Sequence, residues 1–165
     1  RFLMYITIDQ PDADTERKIL KLVRTEQRET KEQDPAWQEF SKTVGKIAVE
    51  DILTARREVL SMHVSESLEE YLVQLIVATR KPEKYDASLR DKILFGASPR
   101  ATIALDKCAK INAWLDGRDF VTPEDIHAVI YDVLRHRIIL SFDAQADGLT
   151  TDDIIASLLK TVPLP

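Results

Sequence analysis

Apolar positions recur along most of this chain at the three- and four-residue intervals of a helix buried on one face. The first seven or eight residues are the exception. Phe2 to Ile8 is a short run of aromatic and β-branched residues that ends at Asp9-Gln10-Pro11, which predicts one strand and a turn. A lone strand needs a sheet to join, and no later segment offers several partners. From Asp12, a helix cap, Ile19, Leu20, Leu22 and Val23 predict a stripe on one helix face. That helix runs into the polar stretch Arg24–Gln33 and breaks at Asp34-Pro35; Trp37, Phe40 and Val44 follow in a segment without a clear period, interrupted by Gly45. Val49–Met62 predicts a further helix with Ile52, Leu53, Val59 and Leu60 buried. Ser65 caps Glu66–Arg80, whose inner face is Leu68, Leu72, Leu75, Ile76 and Thr79, and Lys81-Pro82 stops it.

Residues 83–97 read as a long connection containing a partly extended piece, LRDKILF. Ser98 caps the next helix with Pro99 at its first position, where a missing N–H costs nothing, and Asp116-Gly117 provides a left-handed stop. In VTPEDI, Thr122 caps, Pro123 opens, and Asp125 closes a capping box while Glu124 and Asp125 load the first turn with negative charge. Ile126, Val129, Ile130, Val133 and Leu134 form the buried face of that helix. After HRIILSF, Thr150 or Thr151 caps a last helix that Pro163 ends. The pattern is that of a mainly α chain of five or six amphipathic helices with one stray N-terminal strand.

Composition narrows the chemistry. The chain has 165 residues, enough for one domain with a core of its own. One cysteine, Cys108, excludes an internal disulfide framework and a multi-cysteine zinc site, and suits a reducing, cytoplasmic compartment. Cys108 lies on an apolar helical face and reads as a small core residue. Net charge is −5 with both signs interspersed, and residues 98–142 carry six cations against six acids, so nucleic acid is not an expected partner. No apolar run is long enough to span a membrane. There is no GKT or GKS, and His63, His127 and His136 are scattered without metal-ligand spacing. Trp37 and Trp114 read as packing residues that could equally sit at a partner surface. The first residue is not Met, and the chain is expected to be part of a longer protein.

One residue stands out. In Gly96-Ala97-Ser98-Pro99-Arg100-Ala101, Arg100 falls in the first turn of a helix, where the dipole favours an acid. Either it is a solvated surface arginine, or an anion comes to meet it. The three-residue run Arg135-His136-Arg137 has two readings of its own: contact with nucleic acid, or cations offsetting a helix C-terminus.

GASPRA, spaced as it is from LDGRDFVTPEDIHAVIYDVLRHRI, resembles the C-terminal helical lid of MoxR-type AAA+ ATPases. The resemblance covers most of residues 90–140 and extends loosely to both sides; the polar stretch Arg24–Lys46 does not share it. It implies that residues 1–11 are the last strand and exit of an AAA+ core and that 12–165 are an AAA+ lid-type helical bundle. It implies that Arg100 is a sensor 2 residue that contacts nucleotide phosphates, with Gly96, Ala97, Ser98 and Pro99 beside them. Arg1, in an Arg-Phe pair, resembles an arginine finger. The whole protein would then be an ATPase using ATP and Mg²⁺ in a hexameric ring. Its partners would be its own core, neighbouring subunits and proteins with von Willebrand A domains, and its task the chaperone-like remodelling or maturation of those proteins. This chain alone, lacking the phosphate loop and the metal-binding acids, is expected neither to bind ATP tightly nor to hydrolyse it, and no cofactor is expected in it alone. The alternative is a helical protein-interaction or DNA-binding module with no nucleotide role.

Overall fold

The computed structural model describes residues 2–28 and 47–165. Arg1 and the Trp37–Gly45 segment therefore lie outside the described residues. Seven α-helices occur among those described: α1 (Ala13–Arg28), α2 (Val49–Leu60), α3 (Glu66–Arg80), α4 (Pro99–Leu115), α5 (Pro123–Leu134), α6 (Phe142–Ala146) and α7 (Thr151–Thr161). Two 3₁₀ turns, Pro82–Lys84 and Ala87–Leu89, and a two-stranded antiparallel sheet complete them. The mainly α architecture predicted from periodicity holds. The helix beyond the predicted set is the single-turn α6, too short to show a period.

The chain falls into two compact units, residues 7–54 and residues 1–6 together with 55–165. In the larger unit the core is made by apolar helix faces, of which those of α3 and α5 are the ones predicted from spacing. Leu75 and Ile76 of α3, Leu105 of α4, Ile126, Ile130 and Leu134 of α5, and Ile154, Ile155 and Leu158 of α7 are all fully buried. Each such side chain contributes roughly 1.5–3 kcal/mol relative to exposure. α4 packs most extensively against α5. Ala101, Ala104, Ala109 and Ala113 are all buried along α4, so the helix presents little bulk on that side. Cys108 is buried with them, and burial raises its thiol pKa, as a core cysteine requires.

The caps are local, and most of them form as expected. Asp12 Oδ1 accepts from Thr15 N at 2.8 Å, Ser65 Oγ from Leu68 N at 3.2 Å, and Thr150, not Thr151, caps α7. Gly117 takes φ +74 and lets Arg118 N reach back to Ala113 O at 3.0 Å, closing α4. The long connection after α3 contains β1 (Ile93–Phe95), which pairs with β2 (Ile139–Leu140) through a bulged register.

Three expectations fail. Phe2–Ile8 forms no strand: among the described residues no neighbouring chain offers it a ladder, and a strand without a partner leaves its backbone to find other bonds. Ile52, Leu53 and Leu60 of α2 are exposed, and so are Ile19, Leu20, Leu22 and Val23 of α1. Periodicity identifies an apolar face; it does not supply the surface that covers it. Ser98 occupies the N-cap position of α4 but its hydroxyl makes no capping bond.

Among the described residues no helix is long and apolar enough to cross a membrane.

Candidate functional site: a cationic cleft at the mouth of helix α4

The start of α4 is held from below by the end of α3. Thr79 is fully buried; its hydroxyl donates to Ile76 O at 2.7 Å and accepts from Ala97 N at 2.9 Å. Arg80 Nε donates to Ala97 O at 2.6 Å. Gly96 passes so close to α3 that a Cβ there would overlap the Thr79 carbonyl. Gly96 and Ala97 therefore face inward. Their small size serves the packing of the loop on α3. Ser98, Pro99 and Arg100 are exposed.

Anchored in this way, the first turn of α4 opens into a cleft of about 300 Å³ lined by Leu3, Ser98, Arg100, Ile103, Ala104, Lys107, His136 and Arg137. No acid is among them. Arg100 and Lys107 stand seven residues apart, two turns along one face of α4. Neither side chain has a hydrogen bond or ion pair with any described residue. Arg137 enters from beyond the end of α5. It donates to three backbone carbonyls, those of Phe2 at 2.7 Å, Leu3 at 3.0 Å and Val133. Among the described residues no carboxylate pairs with it, and burial pulls its pKa below the ordinary arginine value. His136 Nε2 lies 3.2 Å from Phe2 O, with the ring tilted on Tyr5 at 6.2 Å.

Three cations thus converge without a counter-charge at the uncapped start of a seventeen-residue helix. The positive end of the helix dipole adds to the same potential, although Pro99 has no N–H and Ala101 N is engaged with Ser98 O at 2.8 Å. Such an arrangement suits a phosphate-bearing anion: guanidinium groups offer forked donors to its oxygens, and none has to abandon a carboxylate to do so. Among the described residues no group of three or more His, Cys, Asp or Glu is placed to hold a metal ion.

Sequence reasoning selected Arg100 and missed Lys107, Arg137 and His136. The charge count over residues 98–142 is zero, but a net count does not show which charges are paired in space. In space, Asp106 is spent on Lys110, Asp116 and Asp125 on Arg118, and Asp132 on Arg135. Without an ion pair in this stretch are the cations Arg100, Lys107 and Arg137 and the acids Asp119 and Glu124, and neither of those acids lines the cleft. The seven-residue spacing of Arg100 and Lys107 was the available signal. Of the other singled-out residues, Arg135 is locked bidentately to Asp152 at 2.8 and 2.9 Å. His127 accepts or donates at 2.7 Å with the Tyr71 hydroxyl, and Trp114 donates to Glu58 Oε2 at 2.8 Å. His63 lies in a bridge beside Phe120. All of these are engaged in holding the fold.

A second cleft, about 670 Å³, is larger but electrostatically closed. Glu58 and Asp119 line it, and its one cation, Arg118, is already committed to Asp116 and Asp125.

Residues 87–158, which include α4, α5 and every residue lining the cationic cleft except Leu3, match the AAA lid domain family. The chain is 33% identical over 166 residues to Chaperone MoxR1 of Mycobacterium tuberculosis, covering 100% of this chain and 41% of that protein. It is 32% identical over 175 residues to Protein MoxR of Methylorubrum extorquens, covering 100% of this chain and 48% of that protein. The chain thus spans less than half the length of these two relatives. A solved structure from Cytophaga hutchinsonii, described as a candidate ATPase, superposes with TM-score 0.83 at 37% identity, over 100% of this chain and 47% of that one. The chain belongs to the MoxR-type AAA+ ATPases, and its residues 87–158 are the AAA lid domain.

Proposed function

We propose that the cleft headed by Arg100 is where this lid meets the phosphates of ATP, as a sensor 2 site, in a protein that hydrolyses the nucleotide with Mg²⁺. The single observation that carries the reading is the convergence of Arg100, Lys107 and Arg137 on one acid-free cleft at an uncapped helix start. A guanidinium remains charged and presents planar donors to phosphate oxygens, so Arg100 would stabilise negative charge where phosphoryl transfer develops it. Ser98 and Pro99 bring the helix start to the same anion, with Gly96 and Ala97 fixing the loop behind them.

Placed on a lid, such a contact makes a lever. An anion that binds Arg100 in one lid position and not in another shifts the balance between the two positions. In this proposal residues 1–11 close the AAA+ core and 12–165 swing as the lid. Arg1 serves as an arginine finger toward a neighbouring subunit of a hexameric ring, and the motion remodels or matures partner proteins, von Willebrand A-domain proteins among them, in the cytoplasm. The chaperone name of the mycobacterial relative supports the remodelling role. The competing class, an interaction or DNA-binding module, has no observation of its own. Arg100, Lys107 and Arg137 share one cleft of about 300 Å³, and three cations in that space do not by themselves make a stripe along which a nucleic-acid backbone could lie.

The test is Arg100→Ala in the full-length protein. ATP turnover should fall at least about tenfold, which is the loss of one charge-assisted contact in the transition state, with circular dichroism unchanged. Unchanged turnover would remove Arg100 from the site.

A further inference from the structure

Residues 2–5 are held on the end of α5 by a set of bonds that the proposed phosphate contact does not explain. Tyr5 N donates to Asp132 O at 2.8 Å, and Arg135 Nη1 donates to Tyr5 O at 3.1 Å. His136 Nε2 lies 3.2 Å from Phe2 O, and Arg137 bridges Phe2 O and Leu3 O. A segment that forms no ladder of its own is thus fastened by the consecutive residues Arg135, His136 and Arg137. Of these three, Arg137 is the one whose charge has no carboxylate. It also faces the cleft, and Leu3, which it holds, forms part of the cleft wall.

Donor accounting shows what Arg137 can do next. A guanidinium has five N–H bonds. Two on Nη1 go to Leu3 O and Val133 O, and one on Nη2 goes to Phe2 O. Among the described residues the remaining Nη2 hydrogen and the Nε hydrogen have no acceptor. The group can therefore take an anion in the cleft without releasing residues 2 and 3.

Resting on the reading of the cleft as a phosphate site, we propose that Arg137 is a positioning residue: it couples anion occupancy of the Arg100 cleft to the docking of residues 2–5. An anion supplies the counter-charge that Arg137 lacks and fixes its guanidinium where it grips Phe2 and Leu3. Conversely, the docked segment completes the wall against which the anion lies. The two events reinforce each other, and linkage makes the coupling equal in both directions.

Inorganic tripolyphosphate is the probe, titrated into the 165-residue chain by calorimetry, with hydrogen exchange followed at the Tyr5 amide. In the wild type, saturation should slow Tyr5 exchange by about tenfold. Arg137→Gln should weaken tripolyphosphate binding by about tenfold and abolish the exchange response. Arg137→Lys keeps the charge but cannot bridge two carbonyls. It should bind tripolyphosphate within about threefold of wild type and still lose the exchange response. If tripolyphosphate binds and Tyr5 exchange does not move, or moves equally in both variants, the coupling is wrong and the cleft survives. If the wild type does not bind tripolyphosphate at all, the phosphate reading falls and takes the coupling with it.

Discussion

The starts of α4 and α5 follow one plan. Each has a hydroxyl residue at the N-cap (Ser98, Thr122), a proline next (Pro99, Pro123), and charge in the turn that follows (Arg100; Glu124 and Asp125). They diverge in how the charge is treated. Asp125 is 1% exposed, and every oxygen lone pair has a claimant. Arg118 grips it bidentately at 2.6 and 2.7 Å, Asn112 donates at 2.8 Å, and the Thr122 amide donates at 2.8 Å to complete the capping box. At α4 the hydroxyl caps nothing and the charged side chain has the wrong sign for the dipole and no partner. Two sites with the same frame, one closed on itself and one left open, separate a part that holds the lid together from a part proposed to take a ligand.

The comparison breaks most visibly at Asp125. Asp125→Ala leaves Arg118 and Asn112 without their acceptor and strips the cap from α5. We expect a loss of about 3 kcal/mol or more, read from the urea midpoint, since removing one partner of a buried pair strands the other. Titration gives the same result by another route. Burial alone would raise the Asp125 carboxyl; the hydrogen bonds from Arg118, Asn112 and Thr122 outweigh it and hold the pKa well below the ordinary 3.8. A lowered folded-state pKa gives stability that is fully present above the unfolded value and drains as pH falls through the folded one. Wild-type stability should therefore fall steeply below about pH 4, and this part of the slope should vanish in Asp125→Asn. Equal acid slopes would mean the Arg118 cluster is not what closes α5.

A smaller effect tests the floor of the open site. Gly96→Ala places a methyl onto the Thr79 carbonyl and within 2.8 Å of the Arg80 amide nitrogen. The obstacle is helix backbone, which cannot swing aside. Overpacking of this kind costs about 1–3 kcal/mol, again read from a urea midpoint. A neutral result would show that the α4 mouth floats free of α3, and Arg100 would lose its rigid mount.

Legibility divides along the same line. The Ser65 and Thr122 caps, Thr150 as one of two candidates, and the buried faces of α3 and α5 were readable because each depends on residues within one or two turns. Arg100 was readable because a cation in a first turn violates a local rule. Arg118 as the partner of Asp125 was not, since it reaches across the α4–α5 loop, and Asp125 alone looked sufficient as a cap. The cleft was not readable either. Lys107 and Arg137 are 30 residues apart in sequence and meet only once α4 packs on α5. The exposed faces of α1 and α2 fail for the opposite reason: Ile19 and Ile52 state that something apolar is wanted, and nothing in a single chain's periodicity says what provides it.

The finest test of the contrast inverts the charge at the open site. If Arg100 is kept for a ligand, the fold does not need it and is marginally worse for having it. Arg100→Glu puts an acid in the first turn of α4, where the dipole rewards it by a few tenths of a kcal/mol and at most about 1. Lys107 and Arg137, close by in the cleft, would reward it in the same direction. We therefore expect Arg100→Glu to match or slightly exceed wild type in the urea midpoint, with a larger gain at low salt than at high salt, as a screened interaction requires. The gain should come with loss of tripolyphosphate binding, because the new carboxylate occupies the counter-charge position that the anion would take. A residue whose reversal improves the fold while closing the site to phosphate is one that stability did not select. A clear destabilisation would instead mean that Arg100 supports the lid as Asp125 does, and the distinction between the two helix starts would be gone.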